Sequence, residues 1–161
     1  MDKKTRTLTR AAILLAIALV FQFVKMGQIV TGSGINCVLI IAAEICGWPW
    51  SAAIGAITPF MALALGVQPP AIIPAIPFIM VGNILYGIVY FIFKNRNRII
   101  AVGFAAIIKF GLLYAAVNYF ISVKPPIQAA LSFPQLITAL IGGAIALIII
   151  EVLNRTGKIE K

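Results

Sequence analysis

Long apolar runs, interrupted by basic residues at only some of their junctions, constrain this chain more than any other feature. Lys3, Lys4, Arg6, Arg10, Lys94, Arg96, Arg98, Arg155, Lys158 and Lys161 fall at the start, between the fourth and fifth runs, or at the end. Between these clusters the apolar stretches can supply helices of about 20 residues, at roughly 1.5 Å each, which is what a hydrocarbon core requires. Hydrophobic residues make up 62% of the chain and charged residues 11%, too little polar side chain to clothe a surface facing water. The 161 residues have room for about six crossings with short connections. The expected fold is therefore all-α: a polytopic membrane protein with six transmembrane helices in one compact bundle, a single transmembrane domain over residues 1–161.

The predicted spans cover about 8–25, 35–46, 51–65, 78–93, 99–121 and 133–153. A Gly-rich link at 27–34 separates the first two. Gly47-Trp48-Pro49-Trp50 turns the chain between the second and third, because proline lacks a donor and tryptophan favours the membrane interface. A Pro-rich stretch at 66–77 precedes the fourth span, and Lys124-Pro125-Pro126 ends the fifth. With the N-terminus inside, the ten basic residues above all lie on the cytoplasmic side, and the outer links hold only Lys25 and Lys124. The positive-inside rule thus gives N-in and C-in. The second and third spans are short, and a re-entrant hairpin would preserve that parity as well as two full crossings do. The first apolar run, behind its basic start, reads as a retained helix because further spans follow it.

Several function classes fall away on residue types. Basic residues flanking apolar runs are the ordinary mark of cytoplasmic loops, so the net charge of +9 does not point to nucleic acid. The chain has no His, and Cys37 and Cys46 lack the spacing of a zinc or redox site, so no metal is expected and the cysteines read as small packing residues. The acids Asp2, Glu44, Glu151 and Glu160 are too scattered for the clustered groups that a membrane hydrolase needs, and no catalytic residues are expected. No Walker-type phosphate loop occurs.

Polar residues inside the spans are where a ligand could be held. Helical phase puts Asn83, Tyr86, Gly87 and Tyr90 on one stripe, and Gln135, Thr138, Ala139 and Gly142 on another. Gly111, Tyr114 and Asn118 share a face of the fifth span, with Lys109 about 180° from Asn118. Such stripes serve either a hydrophilic ligand or hydrogen bonds between helices. An intramembrane lysine costs about 2.5–3.5 kcal/mol to insert, so Lys109 needs either an ion pair with Glu44 or a wet, ligand-bearing cavity. Facing a pocket it would suit an anionic or carbonyl-bearing ligand, whereas the aromatic content would suit a flat heterocycle. Ala12 and Ala16 form a small-xxx-small pair through which another helix can approach.

Four segments carry a resemblance that spans nearly the whole chain: Leu8-Thr9-Arg10-Ala11-Ala12-Ile13-Leu14-Leu15-Ala16, Gly32-Ser33-Gly34-Ile35-Asn36, the Pro-rich link, and Pro77-Phe78-Ile79-Met80-Val81-Gly82-Asn83. Taken with the size, helix count and orientation, the chain resembles the substrate-binding subunit (S component) of energy-coupling factor (ECF) transporters. The resemblance implies a transport subunit that is not an enzyme and has no cofactor or ATPase of its own, with ATP used by partner subunits. It implies capture of a small water-soluble vitamin or related micronutrient from outside, at the plasma membrane of a prokaryote. Delivery would require a membrane coupling subunit and an ATPase pair, with Ala12 and Ala16 as the docking pair. It further implies a pocket near the outer side, for which Asn36, Asn83, Tyr86, Lys109, Tyr114, Asn118 and Gln135 are the substrate-binding candidates, with residues 27–34 ordering over the bound ligand. The alternative from a different class is a small structural subunit of a membrane complex, which needs partner-facing stripes and no pocket.

Overall fold

The computed structural model describes residues 2–24 and 26–156, so Lys25, Lys158, Glu160 and Lys161 lie outside the described residues. The described chain is helical, without strands: α1 (Lys3–Phe23), α2 (Gln28–Ile45), α3 (Trp48–Ala64), a 3-10 helix (Pro70–Ala75), α4 (Ile76–Phe93), α5 (Arg98–Ala115), a π-helical turn (Ala116–Phe120), α6 (Pro125–Leu131) and α7 (Phe133–Arg155). Lys3–Phe23, Gln28–Ile45, Pro70–Phe93, Arg98–Phe120 and Pro125–Arg155 are each long and apolar enough to cross a membrane. With its 17 residues, α3 reaches about 26 Å, short of the roughly 30 Å core.

At the centre stands α2, where Asn36 to Ala43 are buried without a break, as befits a helix enclosed on all sides. It packs on α1, α3, α4 and α7. Small residues set these spacings. A Cβ at Gly34 would lie 2.5 Å from the Phe21 ring of α1, and one at Gly142 would run into the Ser33 carbonyl and sit 2.8 Å from Asn36 Cβ. Glycine at these two points lets α2 approach its neighbours closely, which is how helices associate when lipid removes the hydrophobic drive. Cys37 is part of this packing and is buried, while Cys46 is half-buried at the end of α2. By contrast α1 buries only Ala11, Ala18 and Gln22, leaving Ala12 and Ala16 exposed.

One end of the bundle gathers the basic groups. There Glu44, near the end of α2, accepts from Arg98 at 2.6 Å and from Tyr90 Oη at 3.1 Å, and pairs with Lys94 at 3.2 Å. This clamp fastens the ends of α2 and α4 to the start of α5. The start of α1 and the last residues of α7 lie at this end too, since Lys3 and Lys4 border a hollow with Trp50 and Leu153 shares a groove with Ile45. Glu44 therefore has its own partners, and the Lys109 ion pair considered from the sequence is absent.

Four links differ from the sequence reading, each for a local reason. Residues 28–34 are not a flexible connection but the first turns of α2, the chain reversing at Gly27 with φ 85°. The glycines and serine that read as loop are there for close packing. Trp48 and Pro49 open α3 rather than standing outside it, because proline's missing N–H costs nothing in a first turn. The Pro-rich stretch winds into the 3-10 helix, and Pro77 lies in the first turn of α4. Lys124-Pro125-Pro126 starts α6 instead of merely ending a span, after the π-turn has closed α5.

Candidate functional site

Opposite the basic end, the bundle opens around a cavity of about 220 Å³ whose wall mixes polar and aliphatic side chains. Every helix contributes to its wall: Gln22 from α1, Gln28 to Asn36 from α2, Pro59 and Ala62 from α3, Asn83 from α4, Lys109 from α5, Ala130 from α6 and Gln135 from α7. Gln68 and Ile72 of the third link complete it.

Proline in the middle of α3 explains how one of these side chains is held. Pro59 has no N–H to offer the carbonyl of Gly55, one turn earlier, so that acceptor is left open. Asn83 Nδ2 fills it, donating to Gly55 O at 3.1 Å. Gln22 Nε2 similarly donates to Thr58 O at 3.2 Å, and Thr58 Oγ1 turns back onto Ile54 O. Asn83 thus satisfies the carbonyl that proline has opened, the condition for tolerating proline at membrane depth. Both amides are thereby fixed at the cavity.

Beneath the cavity lies a second network. Lys109 Nζ donates to Asn36 Oδ1 at 2.6 Å, and Asn36 Nδ2 reaches Thr138 Oγ1 at 3.5 Å. Lys109, Asn36 and Thr138 are all buried. The Lys109 ammonium also sits 5.4 Å from the centroid of the Tyr86 ring, within cation–π range. Tyr86 itself is anchored elsewhere, its Oη donating to Ala139 O at 2.6 Å. At the mouth, α6 is laced to its neighbours: Gln28 Nε2 donates to Ala130 O at 3.1 Å, and Gln135 Nε2 donates to the same oxygen at 3.4 Å.

Of the seven substrate-binding candidates, the structure brings Asn36, Asn83, Lys109 and Gln135 together on one cavity. Tyr86 supports Lys109 from behind without lining it. Tyr114 and Asn118 do not reach it. Tyr114 is exposed, and Asn118 donates to Tyr114 O at 2.8 Å while accepting from Gln128 at 3.0 Å. Tyr114 lies away from Lys109 on α5, where Lys109 turns in, and Asn118 lies beyond α5 in the π-helical turn. Sequence reasoning missed Gln22, Gln28, Thr31 and Gln68. Gln22 carried a usable signal, being a lone amide in an apolar helix, whereas the others stood in segments read as links. No aromatic residue lines the cavity among the described residues, which removes the stacking surface expected for a flat heterocycle.

A helical bundle with five membrane-length stretches has the architecture of a multi-pass membrane protein, and the chamber at one end has the size for a small molecule. No curated protein and no solved structure matches the chain. The model of the family described as ECF transporter, substrate-specific component, matches residues 6–154, from the first turn of α1 to the last of α7. The chain therefore belongs to the substrate-specific components of ECF transporters, which bind substrate for transport and are not enzymes.

Proposed function

We propose that this protein captures a small water-soluble vitamin or related micronutrient at the outer face of the cell membrane and delivers it together with a coupling subunit and an ATPase pair. The observation that carries the reading is the cavity itself, since burying amides and a lysine among apolar helices is costly unless something polar is to be bound there. In this arrangement α3 completes a sixth crossing, N- and C-termini lie inside, and the cavity faces outside. The positive-inside rule supports that direction, because the basic end is the one remote from the cavity. A structural subunit would have no use for such a chamber.

ATP is consumed by the partner chains, and this chain supplies binding and docking. The exposed Ala12 and Ala16 of α1 offer a low face on which a helix of the coupling subunit can lie. Substrate enters past the third link and α6, which border the mouth, rather than under a folding 27–34 loop, because residues 28–34 are already helical.

Two experiments test this reading separately. Purified protein without partners should retain a small molecule detectable by native mass spectrometry, and Asn83→Ala and Gln135→Ala should weaken its retention without unfolding the chain. Retention of nothing by the wild type would defeat the capture role. For docking, Ala12→Trp with Ala16→Trp should abolish uptake and complex formation while leaving ligand binding intact. Wild-type assembly would place docking elsewhere.

A further inference from the structure

The charge and hydrogen-bonding inventory of the cavity narrows its ligand to one chemical class. Lys109 is the only charged residue on the wall among the described residues. Its ammonium has three protons to give, and the hydrogen bond to Asn36 Oδ1 uses one. No carboxylate pairs with it among the described residues, Glu44 being held by Lys94 and Arg98 at the far end. A buried cation with an amide oxygen and the Tyr86 ring beside it, but no counter-charge, is an incomplete arrangement, because burial of a charge is tolerated when a counter-charge or its equivalent is present.

A second vacancy has the opposite sense. Gln22 is 6% exposed, lines the same cavity and gives its Nε2 to Thr58 O, yet its Oε1 has no partner. An orphaned buried acceptor calls for a donor. Much of the remaining surface is aliphatic, with Ile35, Ile72, Ile76, Ile79 and Ile127 contributing and no ring to stack on, while Gln28, Thr31, Gln68, Asn83 and Gln135 add uncharged polar groups. At about 220 Å³ the cavity is small for a ligand pocket, a size that suits a small molecule.

Resting on the capture role proposed above, we infer that the substrate is a small monocarboxylate with a largely saturated body and at least one N–H or O–H group, its carboxylate held by Lys109 and its donor by Gln22 Oε1. A single lysine balances one negative charge, which disfavours phosphate esters and dicarboxylates. A cationic ligand would meet Lys109 with no acid to receive it. Asn36, already bonded to Nζ, orients the ammonium toward the incoming carboxylate.

Matched pairs of probes test the class on the full chain in detergent micelles: pantothenate against pantothenol, and biotin against its amide, with thiamin as a cation. Binding is read by calorimetry and by the rise in melting temperature that a ligand of the folded state produces. At least one acid should bind, and bind at least about tenfold more tightly than its uncharged partner, a difference of about 1.4 kcal/mol. Lys109→Met should remove that preference by weakening the acid and sparing the uncharged partner, and Gln22→Met should weaken both. Should Lys109→Met fail to fold, the acid-to-neutral ratio on the wild type decides alone. An uncharged partner or thiamin binding as well as the acids overturns the carboxylate class and leaves the capture role standing. Silence across the whole panel also counts against the class. Native mass spectrometry then judges the capture role independently, since a retained molecule of another class preserves it and an empty protein does not.

Discussion

Removing Asn36 should reveal how far the buried lysine depends on it. Asn36 Oδ1 is the acceptor for Lys109 Nζ at 2.6 Å, and both side chains are almost wholly buried. Hydrogen bonds to charged groups contribute about 1.5–3 kcal/mol net, and stranding the charged partner adds to the cost. Asn36→Ala should therefore destabilise the ligand-free protein by about 2–3 kcal/mol. Replacing both members by apolar groups behaves differently, because no unpaired polar atom is left behind. In the pair Asn36→Leu with Lys109→Met, the loss should be no greater than for Asn36→Ala alone. The double-mutant cycle of Asn36→Leu and Lys109→Met should then show a coupling of at least about 1 kcal/mol, within the usual range for contacting residues. Equilibrium unfolding with increasing sodium dodecyl sulfate in mixed micelles measures all the variants on one scale. Strict additivity, with each single change costing its full amount again in the double, would refute the account of a lysine dependent on this amide.

Three further outcomes follow from the packing. Gly142→Ala should cost about 1–3 kcal/mol by the same unfolding assay, because its Cβ runs into α2, whereas Gly111→Ala, with open space around it, should be neutral or gain up to about 1 kcal/mol. Glu44→Gln should cost about 1–2 kcal/mol, limited by the partial exposure of Arg98, with a loss that shrinks as salt rises. Pro59→Ala should restore the helical bond to Gly55 O and release the Asn83 amide, so the bundle should gain stability in unfolding while ligand affinity, measured by calorimetry, falls.

What could be read from the residues divides along physical lines. Membrane-length apolar runs and the flanking lysines and arginines are local signals, and they carried the helical character and most helix positions. Links were legible only where their composition had a single use. Gly32 and Gly34 look like loop formers in isolation, but against Thr138 and Phe21 they are contact points of a helix. Phase arguments separate Tyr114 from Lys109 on α5, but the π-helical turn over Ala116–Phe120 departs from 100° per residue, so they do not fix where Asn118 points. They could not show which exposed stripe faces lipid, and so Tyr114 and Asn118 entered the candidate site although neither reaches the cavity. The connection from Pro59 through Gly55 O to Asn83 depends on two helices meeting, which no single helix encodes.

Thiol labelling of intact cells tests most directly whether the cavity is an outward-facing ligand chamber. In a background lacking Cys37 and Cys46, Gln68→Cys at the cavity wall should react with a membrane-impermeant maleimide from outside and be protected by bound ligand. Arg96→Cys, exposed at the basic end, should react only after permeabilisation. Reaction of Arg96→Cys in intact cells, with Gln68→Cys silent until the membrane is opened, would contradict the account.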